Sequence, residues 1–212
     1  MALTSSSRGK APRPGKAPRQ RVPAAERRDA LIEAAVHEFA RGGLDGTPVD
    51  RIARRVGVAQ PYVFSLFGSK RELFIAAMER GFERTAEEFT RAAAEFDPAT
   101  ALPDSDALTA MGKRYVELLE SDRDYLMLQL QSYAACHDEL IRERVRLAYA
   151  RLVNLVARLS GAPSEQIDQF FSYGMWLNVA AAMGVEDLSA RCEWIRAARG
   201  ASAIQSATLP LG

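Results

Sequence analysis

Ala53, Gly57 and Val58 fall at the spacing of a helix-turn-helix. A buried Ala lets two helices approach closely, Gly permits the positive φ of the tight turn, and Val fills the angle between the helices. Such a pair could present its second helix to a DNA groove, although an ordinary helical hairpin satisfies the same spacing. Other chemistries have less to stand on. Cys136 and His137 are adjacent, so on a helix they point about 100° apart and seldom share one ligand. With Cys192 and His37 they complete a total of two cysteines and two histidines, without metal-ligand spacing, and no metal site is expected. The sequence has no Gly-rich phosphate loop, no Gly-x-Ser-x-Gly elbow and no spaced pair of catalytic acids, so neither a cofactor nor enzyme activity is expected.

The elements that must position the motif read as helices throughout. Leu31, Ala34, Ala35, Phe39 and Ala40 recur at three- and four-residue steps in a first helix from Ala24, which Gly42 and Gly43 end. Thr47, Pro48 and Asp50 predict a second helix with Thr47 as N-cap, Pro48 in the first turn and Asp50 completing a capping box. That helix carries Val49, Ile52, Ala53 and Val56 inward and stops at Gly57. A third helix over 59–67 buries Val63 and Phe67, and Ser69 caps a long fourth helix from Lys70 to about Phe89. Further helices are predicted over residues 107–120, 124–135, 139–159, 165–183 and 187–199, with breaks at Asp97-Pro98, Pro103, near His137, at Gly161-Ala162-Pro163 and at Gly184. The expected fold is all-α: a basic arm at 1–23, a helix-turn-helix domain at 24–69, a second helical domain at 70–199 and a loose tail at 200–212.

Composition agrees with this organisation. A chain of 212 residues, 48% hydrophobic and 26% charged, supports one core or one core with a small satellite, and excludes a large multidomain enzyme. Charge is divided unevenly. Residues 1–80 hold 15 Lys and Arg against 8 Asp and Glu, whereas residues 81–212 hold 13 against 19. Only the first part is therefore suited to a polyanion. Arg8, Lys10, Arg13, Lys16, Arg19 and Arg21 precede the first acid, Glu26, in a Ser-, Pro- and Gly-rich arm that could follow DNA phosphates or simply solubilise the chain. Sparse cysteine suggests a reducing compartment, and no apolar run suits a signal peptide or membrane span, so a cytoplasmic protein without membrane association is expected.

The run GTPVDRIARRVGVAQPYVFSLFGSKRELF, after a first helix ending in FARGG, resembles the N-terminal domain of TetR-family transcriptional regulators. Thr47, Ile52, Ala53, Gly57, Val58, Phe67, Lys70 and Leu73 carry the resemblance without gaps, and it extends over residues 24–80. It implies that 59–67 is a recognition helix, with Gln60, Pro61, Tyr62 and Phe64 at base edges. A Gln amide can pair with adenine, and Pro or an aromatic ring can pack on a thymine methyl. It further implies DNA-backbone contacts from Thr47, Arg51, Arg55, Ser65 and Lys70, with Arg54 a further candidate. Two positions depart from the family pattern. Phe64 stands where Tyr is usual and Leu66 where His is frequent, so neither donates the usual hydrogen bond; Leu66 is expected in the core, and Tyr62 could supply the missing hydroxyl.

The same resemblance implies a small-molecule effector and a homodimer. Dimerisation has a separate rationale, because one helix reads few base pairs and a two-fold pair reads a palindromic operator. Met111, Tyr115, Leu118, Tyr125, Leu130, Tyr133, Phe170 and Trp176 are the pocket candidates, Met, aromatic and aliphatic side chains with a few hydroxyls; the same spacing also suits plain core. Phe171, Gly174, Met175, Asn178, Ala182 and Trp194, on the last two helices, are the dimer candidates. The expected protein is a regulator of transcription, most often a repressor in this family, which leaves double-stranded DNA when an apolar or amphipathic ligand binds. The alternative is a small-molecule carrier with non-specific adhesion to DNA.

Overall fold

The computed structural model describes residues 23–100 and 105–184, and among them every regular element is helical. The order is α1 (Ala24–Gly46), α2 (Val49–Val56), α3 (Gln60–Phe67), α4 (Lys70–Glu95), α5 (Ala107–Ser121), α6 (Arg123–Ala134), a 3-10 turn (Ala135–His137), α7 (Glu139–Ser160) and α8 (Ser164–Met183). The arm expected at 1–23 lies outside the described residues except at its last position. The helix expected at 187–199, with Cys192 and Trp194, the tail at 200–212 and the break at Pro103 also lie outside them.

Local signals explain most boundaries. Ser69, Asp106 and Asp138 cap α4, α5 and α7 by accepting hydrogen bonds from the amides of Glu72 (3.1 Å), Thr109 (2.7 Å) and Ile141 (3.1 Å). Gly43, at φ 63°, interrupts α1 close to the predicted end. Two expectations are corrected. Thr47 does not cap α2: its hydroxyl donates to the Glu38 carbonyl at 3.1 Å, the residue is 1% exposed, and Asp50 pairs with Arg54 at 2.8 Å instead of completing a capping box. Helix α4 continues past Phe89 to Glu95, because Phe89 and Ala92 remain buried on one face and no Gly or Pro intervenes before Pro98.

The long α4 joins the two halves. Its first turns pack beneath α1, where Phe39 meets Phe74 edge-on at 5.0 Å, and its later turns bring Phe89 against Tyr115 (5.8 Å) and Phe170 (5.6 Å). Buried apolar side chains therefore run without a gap from Leu31 to Phe170. Helix α6 lies along α1, so the N-terminal helices touch the C-terminal bundle through both α4 and α6.

Candidate nucleic-acid interface and effector cavity

Helix α2 buries Val49, Ile52 and Ala53 and ends at Gly57, whose φ of 73° is strained for any residue with a side chain. The Gly57 amide donates back to the Ala53 and Arg54 carbonyls, and the Val58 amide reaches the Ala53 carbonyl at 3.0 Å. The chain then re-enters a helix at Ala59, with Pro61 in the first turn of α3, where its missing N–H costs nothing. Val63 and Phe67 anchor α3 to the core, and Leu66 packs against it half-buried, as expected. Pro61, Phe64 and Ser65 face solvent, flanked by half-buried Gln60 and Tyr62. Phe64 is 38% exposed and places an apolar ring on the open face. Tyr62 lies beneath the Arg27 guanidinium, 5.7 Å from the ring centre.

The backbone-contact candidates are more constrained than the sequence suggested. Arg51 and Arg55, both half-exposed or nearly so, converge on Glu38, a buried carboxylate of α1 (3.6 and 3.2 Å). Thr47 is buried below them, so its hydroxyl is not free for a phosphate. Its Oγ1 lies 2.5 Å from where a Cβ on Gly42 would stand, which explains the glycine. Ser65 commits its hydroxyl proton to the Tyr62 carbonyl (2.7 Å). Lys70 donates to the Asp45 carbonyl (3.1 Å) and retains two further N–H groups. Sequence reasoning missed Glu38. The available signal was an acid on the apolar face of the first helix, seven residues after Leu31.

A cavity lies between α4, α5 and α6. In this form its free volume is about 20 Å³, room for little more than one water. Met78, Gly81, Phe82 and Thr85 line it from α4; Tyr115, Leu118, Leu119 and Asp122 from α5 and its end; Tyr125, Leu126, Leu128, Gln129 and Ser132 from α6. The α4 and α5 sets are spaced by three, four and seven residues, the mark of one helix face, and α6 shows the same spacing with Leu126 beside it. Of the expected pocket residues, Tyr115, Leu118 and Tyr125 are there. The others are not: Met111 is fully buried core, Phe170 packs edge-on against Phe89, Tyr133 stands behind the lining as the acceptor of Gln129 Nε2 (2.7 Å), and half-buried Leu130 and Trp176 lie off the lining.

Polar groups around the cavity lead in two directions. Toward α8, the Tyr115 hydroxyl contacts Asn178 Oδ1 (2.5 Å) and Gln129 Oε1 (3.2 Å). Burial pushes the Tyr115 phenol well above its ordinary pKa, and pushes Tyr133 up to about 12. Toward α1, the Tyr125 hydroxyl donates to Glu33 (2.8 Å), Asp124 pairs with His37, and Arg41 lies 4.0 Å from Asp124. Among the described residues no group of three or more His, Cys, Asp or Glu side chains could hold a metal ion, and no helix is long and apolar enough to cross a membrane.

Residues 31–77 match the family described as "Bacterial regulatory proteins, tetR family". The N-terminal domain belongs to the tetR family. A curated relative, the HTH-type transcriptional activator FasR of Mycolicibacterium smegmatis, is 38% identical over 81 residues, which is 38% of this chain and 37% of that protein's own length. Solved structures similar to the whole fold include FadR from Bacillus subtilis in complex with stearoyl-CoA, at 16% identity, a TM-score of 0.61, and coverage of 82% of this chain and 95% of that one. Another, from Saccharomonospora viridis in complex with choline, has 17% identity, a TM-score of 0.62, and coverage of 76% and 87%.

Outside the TetR-family domain, α8 carries the dimer candidates, and the structure rearranges them. Asn178 is 1% exposed and bonded to Tyr115, so it belongs to the chain's own core. Gly174 also faces inward, since a Cβ there would lie 3.8 Å from the Tyr115 ring. Phe171 is half-buried against Tyr149 and Phe170, both 5.4 Å away between ring centres, and Ala182 is half-buried with its carbonyl 3.4 Å from Arg123 Nη2. Met175 is on the open face at 41% exposure, joined by Val179 (43%) and Met183 (58%) at successive four-residue steps. Those last two were missed because α8 is apolar on several faces, and sequence alone does not rank them.

Proposed function

We propose that the chain is a homodimeric, DNA-binding regulator of transcription, acting as a repressor on a palindromic operator and released by a small ligand. Residues 24–69 form its reading head, and residues 70–199 its effector and dimer module. The observation that carries the reading is the open face of α3, where Pro61 and Phe64 stand clear of the core, with half-buried Gln60 and Tyr62 at its margin. These residues contact base edges, while Arg51, Arg55 and Lys70 face phosphates around them. Thr47 and Ser65 offer no hydroxyl proton to a phosphate, since both are engaged.

The ligand enters between α4, α5 and α6. Because the cavity is nearly closed, binding must part these helices, and α4 and α6 are the two that hold the reading head. A ligand favouring the parted form weakens operator binding, and the operator weakens the ligand by the same factor. The relative solved with stearoyl-CoA and the one solved with choline support a ligand site in this fold. The second subunit packs on Met175, Val179 and Met183, whose exposure on one stripe suits an interface core.

Selection of bound fragments from random DNA tests the reading. A symmetrical consensus is expected, with half-sites about 34–36 Å apart or a whole number of turns more. Binding that shows no sequence ratio over bulk DNA, or a consensus without symmetry, overturns it.

A further inference from the structure

We infer that the effector suited to this cavity is a cation: an amphiphilic amine or quaternary ammonium, its charge set against Asp122 and its apolar part between α4, α5 and α6. This rests on reading the cavity as the effector site. Most polar groups of the lining are already engaged within the chain. Thr85 and Ser132 donate to carbonyls of their own helices, at 3.1 and 2.8 Å. The Tyr115 hydroxyl is held by Asn178, the Tyr125 hydroxyl by Glu33, and the Gln129 amide by Tyr133. Asp122 differs from all of these. Among the described residues its carboxylate has no ion pair and makes no capping hydrogen bond to α6; the backbone N–H groups of Asp124 and Tyr125 lie only near enough to favour its charged form.

The charges around Asp122 point the same way. No Lys, Arg or His lines the cavity. Arg84 faces Asp122 from α4, but its guanidinium is shared between Glu88 (4.0 Å) and the Tyr125 ring (5.7 Å) and is not part of the lining. Asp124, already paired with His37, adds only a weaker negative contribution. Partial burial accordingly holds the Asp122 carboxyl above its ordinary range. The rings of Phe82, Tyr115 and Tyr125 are in the lining, and aromatic rings attract an alkylammonium through their faces. A fatty carboxylate or a phosphate would meet Asp122 with no cation on the cavity wall and only the second N–H of the Gln129 amide as donor, a poorly compensated burial of charge. A neutral amphiphile would leave Asp122 uncompensated.

The full chain is titrated calorimetrically with decyltrimethylammonium, decanol and decanoate, each below its micellar range, and operator release is followed in parallel. The ammonium should bind at least about tenfold more tightly than either of the others, one per chain. Asp122→Asn should erase that preference and Asp122→Glu should keep it, with wild-type helical circular dichroism and a cooperative thermal melt in both as proof of folding. Decanoate binding as tightly as the ammonium, or a preference that survives in Asp122→Asn, overturns the proposal. Decanol binding equally well removes the charge argument and leaves the effector cavity standing. Preferential binding of the cation without operator release would instead retain the cation site and refute the effector reading, and failure of all three to bind refutes both.

Discussion

Tyr125 lines the cavity with its ring and donates its hydroxyl to Glu33 of α1 over 2.8 Å. One side chain therefore spans the place where a ligand would enter and the helix that supports α2 and α3. Burial raises the Tyr125 phenol above its ordinary pKa, which keeps it a neutral donor at physiological pH. Arg80 reinforces the same point from α4, reaching Glu33 at 2.7 Å and Asp29 at 3.0 Å.

Tyr125→Phe retains the ring and deletes this link. Ligand affinity should change little, whereas the factor by which ligand weakens operator binding should fall. Coupling energies of this kind are about 1–3 kcal/mol, and a hydrogen bond of this class contributes about 1 kcal/mol, so a several-fold loss of coupling is expected. Operator affinities of wild type and variant, with and without ligand, supply the four values required. An unchanged ratio would mean that the signal travels through α4 alone.

Base reading and phosphate contact should separate by mutation. Gln60→Ala is expected to cost about 1–3 kcal/mol on the preferred site and to relax preference at one position of each half-site. Lys70→Ala should weaken binding to every sequence alike and reduce the salt slope by about one. Binding isotherms on the selected site and on scrambled DNA, across a salt series, distinguish the two. Identical behaviour of both variants on both DNAs would contradict the placement of α3.

Much of this was legible in the sequence, and what was not has a physical cause. Gly57 requires a positive φ, Ser69 offers a cap, and Val63 and Phe67 recur on one face, so the helix-turn-helix and its boundaries follow from local chemistry. The cavity did not follow, because periodicity shows that Met78 and Phe82 share a face of α4 but not which face of α5 or α6 meets it. Asn178 and Gly174 were placed at a subunit interface for the same reason: α8 is apolar on more than one side, and the Tyr115 contacts that internalise both residues join positions about 60 apart in sequence. Thr47 was misread because Thr followed by Pro suits a cap equally well whether or not a carbonyl of α1 competes for its hydroxyl.

Glu38 should restrain the two arginines that it holds. Its carboxylate offsets part of the charge of Arg51 and Arg55 and fixes their direction from α2. Glu38→Gln would free both for phosphates. Non-specific DNA affinity should rise and the salt dependence steepen, while the ratio of specific to non-specific binding falls. Fold stability should drop by about 1–2 kcal/mol, a figure discounted for the solvent exposure of the arginines. Urea unfolding and salt titration read the two effects separately, and unaltered DNA binding alongside lower stability would confine Glu38 to a structural role.

The stripe of Met175, Val179 and Met183 should differ from Asn178 in what its loss does. Val179→Glu places a charge on a side chain that is 43% exposed within the chain, so the isolated subunit tolerates it. At the centre of a subunit interface the same charge would be buried without a partner, and the dimer should dissociate by at least about a hundredfold. Operator affinity then falls because two half-sites are no longer read together. Asn178→Ala acts inside the subunit. It removes an acceptor from the buried Tyr115 hydroxyl, which keeps Gln129, and should lower stability by about 1–3 kcal/mol without a comparable change in the dissociation constant. Sedimentation equilibrium with thermal melts of both variants decides the matter. If Val179→Glu remains dimeric, the subunits meet on another surface and the α8 stripe faces solvent or another segment of the chain.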